Sequence, residues 1–469
     1  MMSDHTMQRL TLDELRTRFH GSLHTQDDPG YDEARIIFNA AVESRPRLIA
    51  ECTDVDDVRT VLHYARGNGL DIAVRGGGHS VAGASLVDDG VVIDLRGLND
   101  VSVAPEARTV TVGGGTIWGE MDRATAEHGL VTTGGRVSTT GVAGLTLGGG
   151  SGWVERAYGL ACDNLLEVEL MTADGSMLRA SESENRALFW ALHGGGGNFG
   201  IATSLTFQLH PLDRFSIALL VWPKEQGREV IAEYRDFVES APDAVGGGAL
   251  YCTGVPDEPF PERLAGKLCC LTLVTYLGSE PQLRALLGGL LRHRPAGELI
   301  TEIPYVDLQC MLDDPPGYRN YWSADHLGAL PDEAIDRFCA TAELMVVPSP
   351  SQHALLPWGG AVARNAESGT VINRDAPWVV HPLGLWEDPA DDQRARDWAK
   401  ATADELRPWM TGDVYLNFIG DEGADRIVAG FGRTNYERLA RIKAAYDPDN
   451  VFNRWHNVLP AGRRSGVGA

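Results

Sequence analysis

The chain has 469 residues, of which 43% are hydrophobic and 23% are charged, and its formal net charge at pH 7 is −24. This length predicts two or three domains with a sizeable core, and the composition excludes a fibrous or disordered chain. The acidic balance disfavours nucleic acid and anionic membranes as partners, because a polyanion would be repelled.

The pattern of the N-terminal residues, the apolar runs and the cysteines predict the cellular compartment of the protein. The sequence has no pattern of a secretory signal, and no apolar run reaches the length of a membrane span. The seven cysteines show no CxxC spacing, which disfavours a zinc site or a redox pair. We therefore expect a cytoplasmic protein with reduced thiols and no metal. We expect neither nucleic acid nor membrane as a partner, and a monomer or a small homo-oligomer.

The first half of the chain alternates short apolar runs with stretches of helical periodicity. After the strand–helix–strand pattern at its start, two glycine-rich stretches interrupt the elements. In chain order, the patterns predict a strand at 47–51, a helix capped by Thr53, strands at 71–75, 91–95 and 108–114, a helix over about 116–128, a hairpin that starts with 165–171, and a strand from Ile201 to Leu209 with one buried face.

The composition of the sequence changes after about Leu212, where glycine clusters become rarer and proline and tryptophan become common. This change predicts a second domain with a sheet of its own. Its clearest predicted elements are strands at 268–276 and 378–386 and helices near 332–345 and 391–407. A turn followed by aromatic and amide side chains ends the chain, in "YDPDNVFNRWHNV".

The stretch "VRGGGHSVAG" places His79 directly after three glycines. A nucleotide P-loop is excluded because GxxxxGK[ST] is absent. The dinucleotide pattern GxGxxG occurs once, at 195–200, but a helical pattern precedes it and a strand follows, which is the reverse of the required order. The remaining interpretation is a phosphate cradle of backbone N–H groups. The loop 75–83 would form one wall of this cradle and residues 134–152 the other, and together they could hold a dinucleotide.

Five blocks give the sequence a family resemblance over about residues 35–212 and 440–460: "VRGGGHSVAG", "GVAGLTLGGGSGW", "YGLACDNLLEVELMTADG", "WALHGGGGNFGIAT" and "YDPDNVF". With them the chain resembles flavoproteins of the vanillyl-alcohol-oxidase fold, in the berberine-bridge-enzyme-like branch. The resemblance implies an α+β protein with a two-lobed PCMH-type FAD-binding domain at 1–212. A substrate domain at 213–440 would have an antiparallel sheet covered by helices, and a segment at 441–469 would return to the FAD domain.

The resemblance also implies the cofactor positions. In this family the histidine after the glycines is bonded covalently to the 8α-methyl carbon of FAD, which gives His79 its expected role. The expected FAD-binding residues are Arg75, Gly76, Gly77, Gly78, His79, Ser80, Gly83, Ser85, Val137, Ser138, Thr139, Gly141, Val142, Gly144, Leu147, Gly148, Gly149, Gly152, Trp153, Asp163, Asn164, Gly200, Ile201 and Asn457.

One departure from the family pattern concerns a second flavin link. Many members attach FAD also through a cysteine in G-x-C-P-T-V-G, but this chain reads "GRVSTTG" there, with Val137 in place of the cysteine. Cys162 lies in a different block and is interpreted as a small buried side chain. We therefore expect covalent FAD through His79 only, as in bacterial members with a single link such as hydroxynicotine oxidase.

The resemblance implies an oxidase that passes a hydride from a small alcohol, amine or secondary-metabolite substrate to flavin N5 and the electrons to O₂. The family often carries its base in Y-x-N-Y, for which this chain has "VYLNF". Tyr415 and Asn417 are thus the catalytic candidates, on one face of an expected strand with Phe418 on the other. A purely structural tyrosine is an equally open interpretation. Asp421, Glu422, Tyr318 and Tyr321 are further candidates that no spacing supports.

Two other readings of the protein stay open at this point. One is a flavin reductase fed by NAD(P)H, and the other is a flavin-holding protein without turnover, which the loss of the second tyrosine at Phe418 would permit. Near the C-terminus, family members often carry N-x-N beside the flavin. Here Asn457 is kept while Trp455 replaces the first asparagine, either to narrow the pocket or simply to pack.

Overall fold

The computed structural model describes residues 9–311, 313 and 317–463, so the first eight and last six residues of the expected domains lie outside it. No helix among the described residues is long and apolar enough to cross a membrane. The strands are β1 (Ser22–Thr25), β2 (Leu48–Glu51), β3 (Ile72–Arg75), β4 (Val91–Asp94), β5 (Val101–Ala104), β6 (Thr109–Gly113), β7 (Leu130–Val131), β8 (Leu165–Met171), β9 (Met177–Ser181), β10 (Ile201–Gln208), β11 (His210–Pro211), β12 (Ser216–Pro223), β13 (Val245–Thr253), β14 (Leu268–Tyr276), β15 (Gly297–Glu302), β16 (Arg319–Trp322), β17 (Asp325–Leu327), β18 (Gln352–Pro357) and β19 (Trp378–Trp386).

Sixteen α-helices are found among the described residues. They are α1 (Leu12–Arg18), α2 (Tyr31–Ala34), α3 (Val55–Gly67), α4 (Trp118–Ala126), α5 (Val142–Leu147), α6 (Glu155–Tyr158), α7 (Arg186–Ala191), α8 (Gly227–Ser240), α9 (Glu280–Leu286), α10 (Gly288–Arg292), α11 (Tyr305–Met311), α12 (Asp332–Ala342), α13 (Gly360–Arg364), α14 (Asp392–Leu406), α15 (Ala424–Phe431) and α16 (Arg433–Tyr446). Of these, α8, α12 and α14 pack on one face of the largest sheet.

The first lobe is a four-stranded sheet in the order β1-β2-β4-β3, in which β4 runs parallel to both β2 and β3. The predicted strand–helix–strand unit is confirmed as β2, α3 and β3. The predicted helix cap was one residue early: the side chain of Asp54, not that of Thr53, accepts from the backbone N–H of Asp57. Thr53 instead donates its backbone N–H and its hydroxyl to the Asp57 carboxylate.

The second lobe is an antiparallel five-stranded sheet in the order β5-β6-β10-β8-β9. The predicted hairpin after residue 165 is confirmed as β8 and β9, which pair from Glu167–Ser181 to Met171–Met177. The segment at 195–200 lies between α7 and β10. A helix therefore precedes this GxGxxG match and a strand follows it, which confirms that the match is not a helix-opening dinucleotide loop.

The largest sheet has eight strands, in the order β15-β12-β14-β13-β18-β19-β16 with β17 also paired to β19. Its two faces follow the period of two along each strand. Leu220 and Val274 lie on one face and pack in a cluster with helices α8, α12 and α14, whereas Leu219 and Leu273 belong to the cluster on the opposite face. The predicted α+β architecture with a helix-covered antiparallel sheet is confirmed. The domain boundaries at 212 and 440 stay predictions.

The C-terminal segment is attached through a buried ion pair. Lys443 on α16 and Asp447 are both fully buried, with Nζ 2.6 Å from Oδ2. Nζ also donates to the carbonyl oxygens of Asn198 (2.5 Å) and Phe452 (2.7 Å). The Asp447 carboxylate accepts from the backbone N–H groups of Val451 and Phe452, each at 2.9 Å. The ring of Phe452 is thereby placed in the core of the first lobe.

A second buried carboxyl joins α4 to α11. Asp122 is 2% exposed, and its Oδ2 accepts from Nε2 of Gln309 at 2.7 Å. Burial raises the pKa of Asp122 from 3.8 to about 7, against opposing contributions from Gln309 and Arg123. The folded protein therefore holds this proton at pH values where the unfolded chain has lost it.

We expect this proton to make the stability depend on pH. Because the folded-state pKa is raised, the contribution of Asp122 is complete below about pH 4 and is lost as the pH rises through about 7, a loss of about 4 kcal/mol at about 1.4 kcal/mol per unit. Asp122→Asn mimics the protonated acid, so its free energy of unfolding should exceed that of the wild type increasingly from acid to neutral pH. Denaturant titrations at several pH values measure this. A constant difference between the two proteins would contradict it, and the exposed Asp71→Asn is the control.

Candidate active site

A cavity of about 990 Å³ lies between the glycine-rich loops and the face of the eight-stranded sheet opposite helices α8, α12 and α14. Loop residues 76–80 line one side, and Leu219 of β12 and Leu273 of β14 line another. The C-terminal residues 452–456 complete the lining. The volume is at the upper end of the usual range for small-molecule sites, so one cavity has room for an extended ligand.

The two glycine-rich loops touch each other through their backbones. A Cβ atom at Gly77 would lie 2.2 Å from the backbone nitrogen of Gly141, and one at Gly141 would lie 2.4 Å from that of Gly77. A Cβ at Gly152 would lie 1.7 Å from the carbonyl oxygen of Gly134. No side chain fits at these positions, which explains the density of glycine in both stretches.

The first glycine loop presents unused backbone donors to the cavity. Within the described residues, the N–H groups of residues 76–80 donate no hydrogen bond. Several consecutive free N–H groups form an anion-binding concavity. A Cβ at Gly144 or Gly197, both on the lining, would meet no protein atom within 4 Å, so the backbone there borders open space. The free N–H groups could bind the diphosphate of a dinucleotide, and the space beside Gly144 and Gly197 could accommodate it.

His79 stands at the end of this loop on the cavity lining. Its Nε2 lies 2.8 Å from Oγ1 of Thr139, and its Nδ1 lies 3.4 Å from Oγ1 of Thr140. The imidazole stacks on Phe38 with ring centroids 4.2 Å apart. Burial lowers the pKa of His79 to about 4, so the ring is neutral at pH 7 and keeps a nucleophilic nitrogen.

The predicted cofactor residues fall into two groups. Twelve line the cavity: Gly76, Gly77, Gly78, His79, Ser80, Ser85, Val137, Gly141, Gly144, Leu147, Trp153 and Gly200. The other predicted positions are not among the lining residues: Arg75, Gly83, Ser138, Thr139, Val142, Gly148, Gly149, Gly152, Asp163, Asn164, Ile201 and Asn457.

Three of the predicted residues outside the lining form hydrogen bonds or ion pairs with segments around the cavity. The Arg75 guanidinium donates to the carbonyl oxygens of residues 34 and 36 and so holds the strand end against the preceding segment. Asp163 forms a buried ion pair with Arg374 at 2.7 Å. Asn164 donates its amide N–H groups to the carbonyl oxygens of residues 158 and 160. These contacts fix the shape of the loops around the cavity.

Tyr415 is 1% exposed and is not among the residues that line the cavity. Its oxygen accepts from the backbone N–H groups of Gly150 (2.7 Å) and Ser151 (2.9 Å), and Nδ2 of Asn417 lies 3.2 Å away. Burial raises the pKa of Tyr415. The hydroxyl is thus held against the second glycine loop, while Asn417 does line the cavity.

The expected strand around Tyr415 was wrong, because Leu416–Phe418 forms one turn of 3-10 helix. This turn places Phe418 on the cavity lining together with Asn417. Tyr318, Tyr321, Asp421 and Glu422 are not among the described residues of the lining.

The sequence reasoning missed His381 and Trp322, which lie on the cavity lining at the edge of the large sheet. Nδ1 of His381 is 2.8 Å from the carbonyl oxygen of Ser323. His381 stacks on Phe418 with centroids 4.4 Å apart and meets Trp322 edge-on at 5.5 Å. Burial lowers the pKa of His381 to about 4. A lone histidine within the apolar strand 378–386 was the available signal.

Aromatic contacts connect this pair to His79. Trp322 meets Phe38 edge-on at 5.7 Å, and Phe38 is the ring on which His79 stacks. His381 and His79 therefore lie at the same end of the cavity. A cavity large enough for a dinucleotide, with two uncharged histidines at one end, is typical of a cofactor-dependent enzyme.

Comparison with known proteins identifies the family. Residues 46–181 match the model of an FAD binding domain, and residues 414–458 match the "Berberine and berberine like" model. The FAD-linked oxidoreductase YgaK of Bacillus subtilis is 30% identical, over 96% of this chain and 99% of the relative. The (R)-6-hydroxynicotine oxidase of Paenarthrobacter nicotinovorans is 30% identical, over 94% and 97%.

The solved structure of 6-hydroxy-D-nicotine oxidase from Arthrobacter nicotinovorans has a TM-score of 0.82 and 25% identity, and covers 94% of this chain and 98% of that chain. The chain belongs to the FAD-linked oxidoreductases of the berberine-bridge-enzyme-like family. The predicted flavoprotein class is thereby confirmed, with FAD as the cofactor.

Proposed function

We propose that this oxidoreductase is an oxidase that holds FAD through a single covalent bond to His79. It would oxidise a small alcohol, amine or secondary-metabolite intermediate and pass the electrons to O₂. The observation that carries the proposal is the juxtaposition of a neutral, cavity-lining imidazole with the free N–H groups of residues 76–80. When bound, FAD supplies the acceptor for a hydride from the substrate carbon.

The residues of the chain would divide the remaining work. The N–H groups of residues 76–80 would bind the diphosphate, and Gly144 and Gly197 would leave room for the cofactor. Asn417 has its amide held by the carbonyl oxygen of Leu145 at 2.9 Å and is positioned to orient a ligand. Tyr415 would act as a positioning residue that fixes the loop at Gly150.

A single link is supported by the two positions that could provide a second one. Val137, on the cavity lining, has no nucleophilic atom. Cys162 is fully buried and outside the lining. Its Sγ is 3.7 Å from Nη2 of Arg374, and burial raises the pKa of the thiol. A buried neutral thiol is a poor nucleophile.

We assign the proton-accepting role to His381. Nδ1 of His381 lies within hydrogen-bond distance of the carbonyl oxygen of Ser323. Because a carbonyl oxygen can only accept, Nδ1 carries the proton in the neutral ring. Nε2 then has a free lone pair, and it has no hydrogen-bond partner among the described residues. Hydride removal from an alcohol carbon requires that its O–H proton be taken up, and Nε2 is suited to accept it.

Acid precipitation of the purified protein tests the flavin attachment. We expect yellow colour to stay in the pellet and the mass of FAD to appear on the peptide that contains His79. His79→Ala should release all of its flavin on denaturation, because in this proposal His79 carries the single covalent bond. The matched control Cys162→Ala should retain the colour. Flavin retained by His79→Ala but lost in Cys162→Ala would contradict the proposal.

The direction of electron flow separates the oxidase from its rivals. An oxidase releases peroxide when mixed with a suitable alcohol or amine under air, whereas a flavin-holding protein releases none. Rapid anaerobic bleaching by NADPH would indicate a flavin reductase instead. We further propose that the protein is cytoplasmic, since none of the seven cysteines is in a disulfide and reduced thiols are typical of that compartment. We also propose a monomer or a small homo-oligomer.

A further inference from the structure

The wall of the cavity formed by the large sheet is mainly aliphatic. Across neighbouring strands, Leu250 stands opposite Leu271 and Ala354, and Ala354 stands opposite His381. On β12, Leu219 stands opposite Leu273. All six residues line the cavity. Leu271, Leu250, Ala354 and His381 thus form one row of side chains across the sheet that ends at the histidine, and the Leu219–Leu273 pair lies beside this row.

A second row runs beside the first. Cys252 stands opposite Gln352, Gln352 opposite Leu383, and Leu383 opposite Trp322. These four residues also line the cavity. Both rows therefore end in a residue with a polar ring nitrogen, His381 and Trp322, and these two rings contact each other.

The two ring nitrogens at the row ends are complementary. Nε1 of Trp322 and Nε2 of His381 are buried and have no hydrogen-bond partner among the described residues. The indole N–H can only donate, while Nε2 of the neutral imidazole, protonated on Nδ1, can only accept. A hydroxyl group can accept from the first and donate to the second. Leaving such groups unpaired costs stability, and one ligand hydroxyl would pair with both.

Charge is absent from this wall. No Lys, Arg, Asp or Glu is found among the described residues of the two rows. Arg136 lines the cavity within electrostatic reach of His381, but it is paired with Glu155 at 2.8 Å. Asp257 and Glu258 are exposed and mark the opening of the cavity to solvent. An ammonium or carboxylate group held at this wall would have no unpaired counter-ion on the two rows, and burial of an unpaired charge is strongly unfavourable.

We infer that the substrate is a neutral, predominantly apolar alcohol whose single oxidisable hydroxyl is held between Trp322 and His381, with its carbon skeleton on the leucine rows. This inference rests on the proposed function and narrows it by excluding amines and sugars. In the reaction the carbinol C–H bond would break and its electron pair would leave as a hydride, for which bound FAD would supply the acceptor. The O–H proton goes to Nε2 of His381, and a ketone or aldehyde is formed. A sugar would bring many hydroxyls to leucines that cannot pair with them.

Three probes test the class of substrate by calorimetric binding to the flavin-loaded protein, whose flavin is chemically reduced beforehand under exclusion of oxygen so that 1-tetralol is not oxidised during the titration. They are 1-tetralol, a bicyclic benzylic alcohol; 1-aminotetralin, the same skeleton with an ammonium group; and cellobiose. We expect 1-tetralol to bind about tenfold more tightly, or better, than either of the others. Equal or tighter binding of 1-aminotetralin or cellobiose, or no measurable binding of 1-tetralol, would overturn the inference. Because binding is measured without turnover, failure of the oxidase proposal alone would leave this result intact.

Two variants locate the binding. Leu273→Asn places an amide in the leucine row and should weaken 1-tetralol binding about tenfold or more, while the exposed Leu344→Asn should not. Trp322→Phe keeps an aromatic ring and removes the N–H, so it should weaken binding of 1-tetralol about three- to tenfold but leave the hydrocarbon tetralin unaffected. Unchanged 1-tetralol binding in either cavity variant would contradict the assignment.

Discussion

Replacing His381 by glutamine is expected to slow flavin reduction by the alcohol substrate about 10²- to 10⁴-fold, the usual contribution of a general base. Glutamine keeps the hydrogen-bonding capacity of the side chain but has no nitrogen that accepts a proton near neutral pH. The measurement is the rate of absorbance loss of the flavin after anaerobic mixing with 1-tetralol. Substrate binding, measured by calorimetry, should change much less than this rate.

The pH profile distinguishes a base from a merely structural histidine. Since the pKa of His381 is lowered to about 4, the wild-type reduction rate should be constant around neutral pH and fall as the pH approaches 4 and the ring becomes protonated. The glutamine variant should lack this acidic limb. A variant that keeps both the rate and the limb would contradict the assignment of His381.

His353 offers a matched control on the same sheet. It is fully buried, it stacks on Phe338 with centroids 4.1 Å apart, and burial lowers its pKa to about 3. Its ring contacts belong to the helix-covered face, and it is not part of the described lining. His353→Gln should therefore lower stability but leave the rate of flavin reduction per folded, flavin-loaded molecule unchanged.

The sequence predicted the architecture where local patterns decide it. Apolar runs and helical periodicity located β2, α3, β3 and, in the large sheet, β14 and β19, because burial on one or both faces leaves a recognisable pattern along the chain. The expected strand at Tyr415 failed because alternation over five residues is too short to separate a strand from a turn. Its conformation depends on the contacts of Tyr415 with Gly150 and Ser151, which are remote in sequence.

The site was predictable on the cofactor side and hidden on the substrate side. The glycine loops are contiguous in sequence and carry a specific pattern, so the five blocks of the resemblance together could predict that His79 and its neighbouring glycines border the ligand cavity. His381 and Trp322 become neighbours only through the registers of β16 and β19. A single histidine in an apolar strand is more often a buried structural residue than a base, and only its unpartnered Nε2 and its position on the cavity distinguish it.

Lys443→Met is expected to lower the free energy of unfolding by about 3–5 kcal/mol, the cost of leaving one member of a buried ion pair unpaired. The variant removes the donor to Asp447 and to the carbonyl oxygens of Asn198 and Phe452. The buried Asp447 carboxylate then keeps only its two backbone donors. Urea titration followed by tryptophan fluorescence measures the loss, and the exposed Arg441→Met on the same helix should change stability by about 0.5 kcal/mol or less.

The double variant Lys443→Met, Asp447→Asn tests whether the loss comes from the uncompensated charge. Asparagine is neutral, although its amide can still accept a hydrogen bond from the N–H of Val451 or Phe452. The double variant should therefore be less destabilised than the sum of the two single variants, with a coupling energy of about 1–3 kcal/mol. Strictly additive losses would mean that the lysine acts only through the two carbonyl oxygens. In that case the tail motif "YDPDNVF" would hold residues 452–456 against the cavity by hydrogen bonds alone, without a contribution from the ion pair.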